Sequence, residues 1–470
     1  MLLLLLALGL TLRPCVAGMP AKPSILLILA DDMGYGELGC YGQEKIRTPH
    51  LDRMAAEGMR FTRFYAGCTV CAPSRSVLMT GLHTGHTPVR GNAGKGNVAA
   101  QTLPAGTVTV PGLLKTAGFR TGLIGKWGLG DAPDGPGHPL KQGFGSFFGY
   151  LDQTHAHNHY PDFLWRDSTR VPLKNDLVAM GNEGAGYSKN RVEYSDDLFA
   201  AEAEKFIRDG DRSRPFFLFL SLVVPHANNE RNRALGVGTE VPDFGPYAEE
   251  PWSEAHKGQA ASITRMDGYV GRLRDVLRET GQDRNTLILF SSDNGPHAEG
   301  GNQPRFFNAS GGFRGIKREL TEGGIRVPLI ACLPGGIAPG QTSGHVGYFG
   351  DLLATAADLS GVAVPPEHDS LSLVPVLGGT ANSVERPWLY WEFHEGGTSQ
   401  AVLMDGRWKA IRLKRRDAAL QIYDVTQDPG EIRDLAADRP DIAARAEEIL
   451  KTARTENPHW PLSDGPVAGK

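Results

Sequence analysis

The chain has 470 residues, which is enough for one large domain with a smaller one beside it. Its ordinary composition excludes fibrous and intrinsically disordered proteins. Lysine and arginine total 49 and aspartate and glutamate total 53, so the formal net charge is −4. Such a chain has no general positive field for nucleic acid, and an anionic ligand would have to be held by local cations.

The N-terminus has the pattern of an export signal. Residues 2–12 are apolar but too few to span a bilayer comfortably, and the small residues Ala17 and Gly18 follow them. We therefore predict a signal peptide over residues 1–20, a secreted or periplasmic protein, and no stable membrane span. A membrane anchor and a lipid on Cys15 are the alternatives.

Short apolar runs alternate with helical patterns along most of the chain. Continuous apolar runs are typical of buried parallel strands, and the alternation predicts an α/β domain whose large sheet is flanked by helices. The predicted strands are Ser24–Ala30, 122–125, 216–224, 286–290 and 327–332, and the predicted helices are Pro49–Glu57, 110–117, 194–207 and 255–278.

The pattern changes after residue 379. Four short strands are predicted there, with a hairpin turn signal at Asp405-Gly406 and a closing helix over 441–454. We therefore predict a large domain over residues 21–379 and a smaller α+β subdomain over 380–470. The predicted strands are Trp388–Phe393, 400–404, 408–413 and 420–423.

Polar side chains follow four of the predicted strands. Ligands of open α/β sheets bind outside the carboxyl ends of the strands, so these side chains are expected to gather in one site. Asp31 and Asp32 follow the first strand, Lys126 the second, His226 the third, and Asp293 and Asn294 the fourth.

The acids among these residues predict a metal. Two carboxylates about 4 Å apart repel by roughly 4 kcal/mol at an effective dielectric constant of about 20. Asp31, Asp32, Asp293 and the amide of Asn294 are hard oxygen donors, which select Ca²⁺ or Mg²⁺ over Zn²⁺. Helix capping is the structural alternative, but two acidic pairs that each follow an apolar strand favour a metal.

The segment CAPSR predicts a helix that opens near Cys71, runs through Thr80 and closes at Gly81. Cys71 then lies beside free N–H groups and the positive end of the helix dipole. Arg75 can reach back toward Cys71, which indicates an anion between them. The alternatives are a buried cysteine beside a surface arginine, or a thiolate nucleophile. In an exported chain disulfides are also open to Cys40, Cys68, Cys71 and Cys332.

The chain resembles the type I sulfatase family of the alkaline phosphatase superfamily. ILLILADDMGYGELGCYG is similar to the family's first strand and metal loop, and CAPSR matches the C-x-P-x-R motif that is oxidised to formylglycine during export. GKWGLG, VVPHA, FSSDNGPH and GIKRELTEGGIRVP follow in the family's order, and YDVTQDPGEIRDLA resembles its closing segment. One pentapeptide would be weak evidence, whereas ordered blocks over nearly the whole mature chain are specific.

The resemblance implies an alkaline-phosphatase-like fold with a large mixed sheet, and a sulfatase that needs a maturation enzyme to make formylglycine from Cys71. It implies that Arg75 orients the hydrated formylglycine, that Lys126 and Lys317 hold sulfate oxygens, and that His226 protonates the leaving alcohol with help from Lys317. His157 is the implied substrate contact, with His155 and His159 as rivals. The implied Ca²⁺ ligands are Asp31, Asp32, Asp293, Asn294 and position 71.

One departure from the family pattern is Gly128, where many relatives have a histidine after Lys-Trp. The resemblance then leaves the identity of the base that assists sulfate release undetermined, with Asp293 or a histidine near 155–159 as substitutes. The expected substrate is a sulfated carbohydrate of galactose or N-acetylgalactosamine type. The alternatives are a phosphodiesterase or phosphonate hydrolase of the same superfamily, and a non-catalytic binder of sulfated glycans if Cys71 stays unmodified.

Overall fold

The computed structural model describes residues 19–93 and 98–465. The predicted signal peptide therefore lies almost wholly outside the described residues. Within them, no helix has the length and apolar character that crossing a membrane requires. Cys40, Cys68, Cys71 and Cys332 are all free thiols.

Eleven strands form one large mixed sheet, in which neighbours follow the order β12-β2-β11-β10-β1-β9-β3-β4-β5-β6 and β13 pairs with β2. Its strands are β1 (Ser24–Ala30), β2 (Met59–Tyr65), β3 (Arg120–Lys126), β4 (Ser146–Tyr150), β5 (Phe163–Arg166), β6 (Thr169–Pro172), β9 (Phe216–Ser221), β10 (Thr286–Ser292), β11 (Arg326–Cys332), β12 (Gln341–Ser343) and β13 (Gly347–Tyr348). A separate hairpin joins β7 (Leu177–Ala179) and β8 (Gly186–Ser188).

The five central strands run parallel. β10, β1, β9, β3 and β4 are neighbours in that order, and every pair among them is parallel. Each strand is buried along almost its whole length, which explains the continuous apolar runs in the sequence. The loops that follow these strands therefore all leave the sheet at the same edge.

The prediction that residues 327–332 form a parallel strand is wrong in direction. β11 pairs antiparallel with β10 on one side and with β2 on the other. A strand covered on both faces is apolar throughout whichever way it runs, so the sequence pattern carries no information about its direction. The third predicted strand is also shorter than expected, because β9 ends at Ser221 and the chain turns before His226.

Helices cover both faces of the large sheet. The helices are α1 (Pro49–Glu57), α2 (Cys71–Thr80), α3 (Val110–Thr116), α4 (Ser195–Asp209), α5 (Asn229–Leu235), α6 (Glu254–Glu279), α7 (Glu322–Ile325), α8 (Asp351–Ser360), α9 (Val374–Leu377) and α10 (Pro440–Thr452). On one face, residues of α2, α3 and α8 share a hydrophobic core with Ile25, Leu27 and Leu29, and on the other face residues of α1, α4 and α6 share a core with Leu26 and Ile28. The fold class is the predicted α/β class.

A second, antiparallel sheet follows near the C-terminus. It consists of β14 (Trp388–Phe393), β15 (Ser399–Met404), β16 (Trp408–Arg412) and β17 (Gln421–Asp424) in sequential order. One face contributes Trp391 and Leu403 to the core of the large sheet, and the opposite face packs Val402 and Ile422 against α10. The boundaries proposed at residues 20, 379 and 380 stay predictions.

A buried ion cluster joins the two sheets. Lys409 on β16 is 0% exposed, and its Nζ lies 2.9 Å from Oε1 of Glu322 at the start of α7 and 3.0 Å from Oε1 of Glu431. Glu322 also accepts hydrogen bonds from Tyr65 and Arg326. Because the charges are removed from water, this cluster is stable only while each member keeps its partners.

Lys409→Ala is expected to lower the free energy of unfolding by roughly 3–5 kcal/mol, because it leaves buried Glu431 without its cation and Glu322 with Arg326 alone. Urea unfolding followed by tryptophan fluorescence measures the change. Arg433→Ala, which removes a surface pair with Asp438, is the control and is expected to shift stability by no more than about 0.5 kcal/mol. Equal midpoints for Lys409→Ala and the unaltered chain would contradict this account.

Candidate active site

The four oxygen-bearing side chains predicted to converge lie together at the carboxyl edge of the parallel strands. Asp31 and Asp32 follow β1, and Asp293 and Asn294 follow the neighbouring strand β10. All four side chains are fully buried. The backbone N–H of Asp32 donates to Oδ1 of Asp293 at 3.0 Å, and Nδ2 of Asn294 donates to Oδ1 of Asp32 at 2.8 Å.

The chemistry of this oxygen cluster fits a divalent cation. Oδ1 of Asp31 and Oδ1 of Asn294 are buried acceptors with no hydrogen-bond partner among the described residues. Leaving such an acceptor unpaired costs about 1–3 kcal/mol. Burial and the neighbouring charge of Asp31 raise the pKa of Asp293 to about 7. A hard cation such as Ca²⁺ or Mg²⁺ would bind the unpaired oxygens and relieve this repulsion.

Three buried cations accompany the three carboxylates. Nζ of Lys126 lies 2.5 Å from Oδ2 of Asp31, and Nζ of Lys317 lies 2.7 Å from Oδ2 of Asp32. Although burial raises it, the charges of Lys126 and Arg75 hold the pKa of Asp31 well below its usual range. With the acids already matched by side-chain cations, a bound divalent ion would make the site positive, which suits an anionic substrate.

Arg75 lies inside this cluster. Its guanidinium is 1% exposed, with Nε 3.1 Å and Nη2 2.9 Å from Oδ2 of Asp293. Its Nη1 donates to the carbonyl of Lys126 at 3.0 Å and bonds Oγ of Ser221. The alternative of a surface arginine is therefore wrong, and this side chain is fixed by contacts from three strand ends.

Cys71 is the first residue of α2 and is buried in the same cluster. One ligand atom from each of Asp31, Asp32, Cys71 and His226 lies within 4.8 Å of the others. The helix starts two residues before Pro73, so Pro73 occupies its third position, within the turn whose N–H groups lack helical partners. Burial raises the pKa of the Cys71 thiol to about 12, which disfavours the thiolate alternative.

His226 and His157 lie beside the reactive cluster with their rings stacked on each other. Nδ1 of His226 lies 2.7 Å from the carbonyl oxygen of Ala227, so Nδ1 carries the hydrogen and Nε2 is left to accept from Nζ of Lys317 at 3.2 Å. His157 stacks on His226 with ring centroids 4.8 Å apart and bonds Glu230.

The two rival histidines are placed differently from His157. His155 is buried against the rings of Tyr150 and Phe163, and burial lowers its pKa to about 3. Nε2 of His159 bonds the backbone carbonyl of His226. The geometry therefore favours His157 over both rivals as the histidine beside the ring of His226.

Gln153 occupies the space beside Gly128. A β carbon added at Gly128, whose φ is +76°, would lie 3.1 Å from Cδ of Gln153. Nε2 of Gln153 donates to Oδ1 of Asn92 at 3.4 Å, and the same oxygen accepts the N–H of Ala72 at 3.2 Å. An amide pair thus connects the Gly128 position to the start of α2. No local pattern predicts this pair, because Asn92 and Gln153 lie in separate loops.

Sequence reasoning also missed three residues that hold the predicted ones. Glu299 contacts Lys317 at 3.1 Å, Ser221 bonds Arg75, and Glu230 bonds His157. Ser221 is the last residue of β9 and could have been found by the same strand-end rule that found Lys126. Glu230 lies on α5, a short helix that the apolar pattern does not predict.

The fold and this site define a hydrolase with an alkaline-phosphatase-like sheet. A family model described as Sulfatase matches residues 23–362, and one described as N-sulphoglucosamine sulphohydrolase, C-terminal, matches residues 313–456. The chain therefore belongs to the sulfatase family, and it is a sulfuric ester hydrolase.

Relatives with known names agree with this assignment. Mouse N-acetylgalactosamine-6-sulfatase is 34% identical over 87% of this chain and 75% of its own length. Human arylsulfatase A is 31% identical over 96% of this chain and 89% of its own length. A crystal structure of Ps i-CgsB in complex with k-i-k-neocarrahexaose superposes with a TM-score of 0.78 at 25% identity, covering 94% of this chain and 95% of that one.

Calcium is expected to raise the thermal unfolding midpoint of the chain, and a chelator is expected to lower it. Binding to the folded state alone stabilises by about 2.7 kcal/mol at a free ion concentration of about 100 times Kd. Asn294→Ala removes one buried oxygen and is expected to lose most of the shift, whereas Asn457→Ala, an amide that contacts Pro88 instead, should keep it. Identical calcium shifts in the unaltered chain and Asn294→Ala would rule out this binding site.

Proposed function

We propose that this chain hydrolyses sulfate esters of carbohydrates of galactose or N-acetylgalactosamine type, with a formylglycine made from Cys71 and a Ca²⁺ ion held by the oxygen cluster. The observation that carries the proposal is the position of Cys71, whose sulfur lies within 4.8 Å of oxygens of Asp31 and Asp32. The substrate class is supported by the name of the mouse relative and by the neocarrahexaose bound to Ps i-CgsB. Export and a maturation enzyme that oxidises Cys71 belong to the same proposal.

The proposed chemistry assigns the attack to position 71. The hydrated formylglycine would supply the attacking oxygen, and Ca²⁺, when bound by the oxygen cluster, would act as a Lewis acid beside it. Arg75 is bonded to Asp293, which holds its positive charge next to position 71. Lys126 and Lys317 are held on Asp31 and Asp32, where their ammonium groups can donate to sulfate oxygens as charge develops.

Lys317 and His226 together can deliver a proton to the leaving alcohol. Nε2 of His226 accepts a hydrogen bond from Nζ of Lys317, so Lys317 carries the proton and can pass it to Nε2 of His226, which then donates it to the departing oxygen. Glu299 holds Lys317 from a second side at 3.1 Å, and the ring of His157 holds the plane of His226. This arrangement places a proton donor at a fixed position without exposing it to water.

Mass analysis of the peptide that contains residue 71, from a host able to mature sulfatases, is expected to show formylglycine. Cys71→Ser is expected to lose steady-state turnover by on the order of 10³-fold or more, because a serine hydroxyl can be sulfated but cannot expel the sulfate afterwards. Cys40→Ser, a half-buried thiol outside the cluster, should retain activity. An unmodified thiol together with full activity would refute the formylglycine mechanism, and an unmodified thiol with sugar binding but no turnover would indicate a binder.

His226→Gln tests the proton donor through the leaving group. Because the leaving group of a sugar sulfate is poor, kcat of the variant on a sugar sulfate is expected to fall by about 10²–10⁴-fold, the range typical for general acid catalysis. The leaving group of 4-nitrophenyl sulfate needs no protonation, so kcat on this substrate is expected to fall by less than about tenfold. His345→Gln, another buried histidine, should affect both substrates alike and weakly. Equal losses for both substrates in His226→Gln would remove this residue from the proton transfer.

A further inference from the structure

We propose that the sugar carrying the reactive sulfate bears no second anionic group, because the cavity beside the site has an acidic wall. This inference rests on the proposed function and narrows its substrate class. It selects neutral, singly sulfated sugars and disfavours sugars that carry a further sulfate or a carboxylate next to the reacting one.

The cavity adjoins the reactive cluster. It has a volume of about 830 Å³. One wall contains Gly128, two residues beyond Lys126. The lining also contains Glu230, which bonds His157, and His157 stacks on His226. Because His226 is placed on the leaving-group side of the sulfate, this cavity is where the sugar would extend.

The charged residues on the described part of the lining are mostly acidic. They are Asp131, Asp152, Glu183, Glu230 and Arg233. The charge of Glu230 is matched by Arg233 and by His157. Glu183 is matched by Arg170, with 2.6 Å between Oε1 and Nη2. Among the described residues, Arg170 and Arg233 are therefore already paired.

Asp131 and Asp152 differ from the other two acids. Within residues 19–93 and 98–465, neither forms an ion pair. Asp131 lies directly after the Gly128–Gly130 loop, and Asp152 follows β4 and is fixed by accepting the N–H of His155 at 2.8 Å. Burial and the nearby charge of Asp152 both raise the pKa of Asp131, which indicates electrostatic repulsion between the two carboxylates.

Such a wall suits sugar hydroxyls and repels further anions. The carboxylates can accept hydrogen bonds from neutral hydroxyl groups, and the amides of Gln101 and Gln153 in the same lining can both accept and donate them. A second sulfate or a uronate carboxylate would lie beside two unmatched negative charges in a partly enclosed space, where repulsion is stronger than in bulk water. The reactive sulfate itself is held elsewhere, by the buried cations.

The test uses the oxidised full chain with calcium and four substrates. These are 4-nitrophenyl sulfate, and the 4-sulfate, the 6-sulfate and the 4,6-disulfate of N-acetylgalactosamine. The better monosulfate is expected to exceed the disulfate in kcat/KM by about tenfold or more. A disulfate that is hydrolysed as well as that monosulfate overturns the inference alone. Hydrolysis of the aryl sulfate without hydrolysis of any sugar sulfate overturns the inference together with the carbohydrate substrate class of the proposed function. Failure of the oxidised chain on all four overturns the proposed function as well.

The double variant Asp131→Asn, Asp152→Asn is expected to shrink the ratio of monosulfate to disulfate in kcat/KM by about fivefold, mainly through a lower KM for the disulfate. Asp283→Asn is the matched control, because Asp283 precedes β10 and so lies at the opposite edge of the sheet. Asp131→Asn alone decides the matter if the double variant does not fold, since Asp152 also holds the N–H of His155. An unchanged ratio in folded variants overturns the inference.

Discussion

Three buried carboxylates at one edge of a parallel sheet cannot stay ionised without positive charge beside them. Isolated buried charges carry a desolvation cost of several kcal/mol each, and that cost is offset only by close partners of opposite sign. In this chain Lys126 contacts Asp31, Lys317 contacts Asp32, and Arg75 contacts Asp293. Oδ1 of Asp31 and Oδ1 of Asn294, which have no hydrogen-bond partner in the described part of the chain, are oxygens that one hard cation would bind in the same cluster.

The sheet determines where this charge cluster can form. Five parallel strands deliver their following loops to one edge, so acids after β1 and β10 meet a lysine from β3 and a serine from β9. The buried helix α2 begins at the same edge and brings Cys71 and Arg75 with it. The second sheet adds no residue to the charge cluster but covers the core on which α2 lies, and Trp391 donates to the carbonyl of Ala66 just before that helix.

Much of this arrangement could be predicted from sequence, since continuous apolar runs mark buried strands and the polar residues after them mark the edge. β1, α1 and β14 have the predicted bounds. β2 was missed, because Arg60, Thr62 and Arg63 interrupt its apolar pattern. The direction of β11 could not be predicted, since burial on both faces hides it.

Contacts between distant loops were the other part that sequence could not supply. Gln153 beside Gly128, Glu230 beside His157 and Glu299 beside Lys317 depend on tertiary packing and have no local signature. The roles of the site residues follow from family resemblance and proximity together, because neither spacing nor propensity distinguishes a catalytic lysine from a solvated one. A catalytic lysine is distinguished from a solvated one by its contacts with other residues at the edge of the sheet.

The central claim is that one divalent cation held by these oxygens acts on residue 71. A crystal structure of the matured chain with calcium, with the ion located by its anomalous signal, tests this most directly. The account predicts a single peak about 2.3–2.6 Å from oxygens of Asp31, Asp32, Asp293 and Asn294 and from an oxygen of the residue at position 71. A fully active crystal form in which the ion lies elsewhere, or in which residue 71 points away from it, would contradict the account.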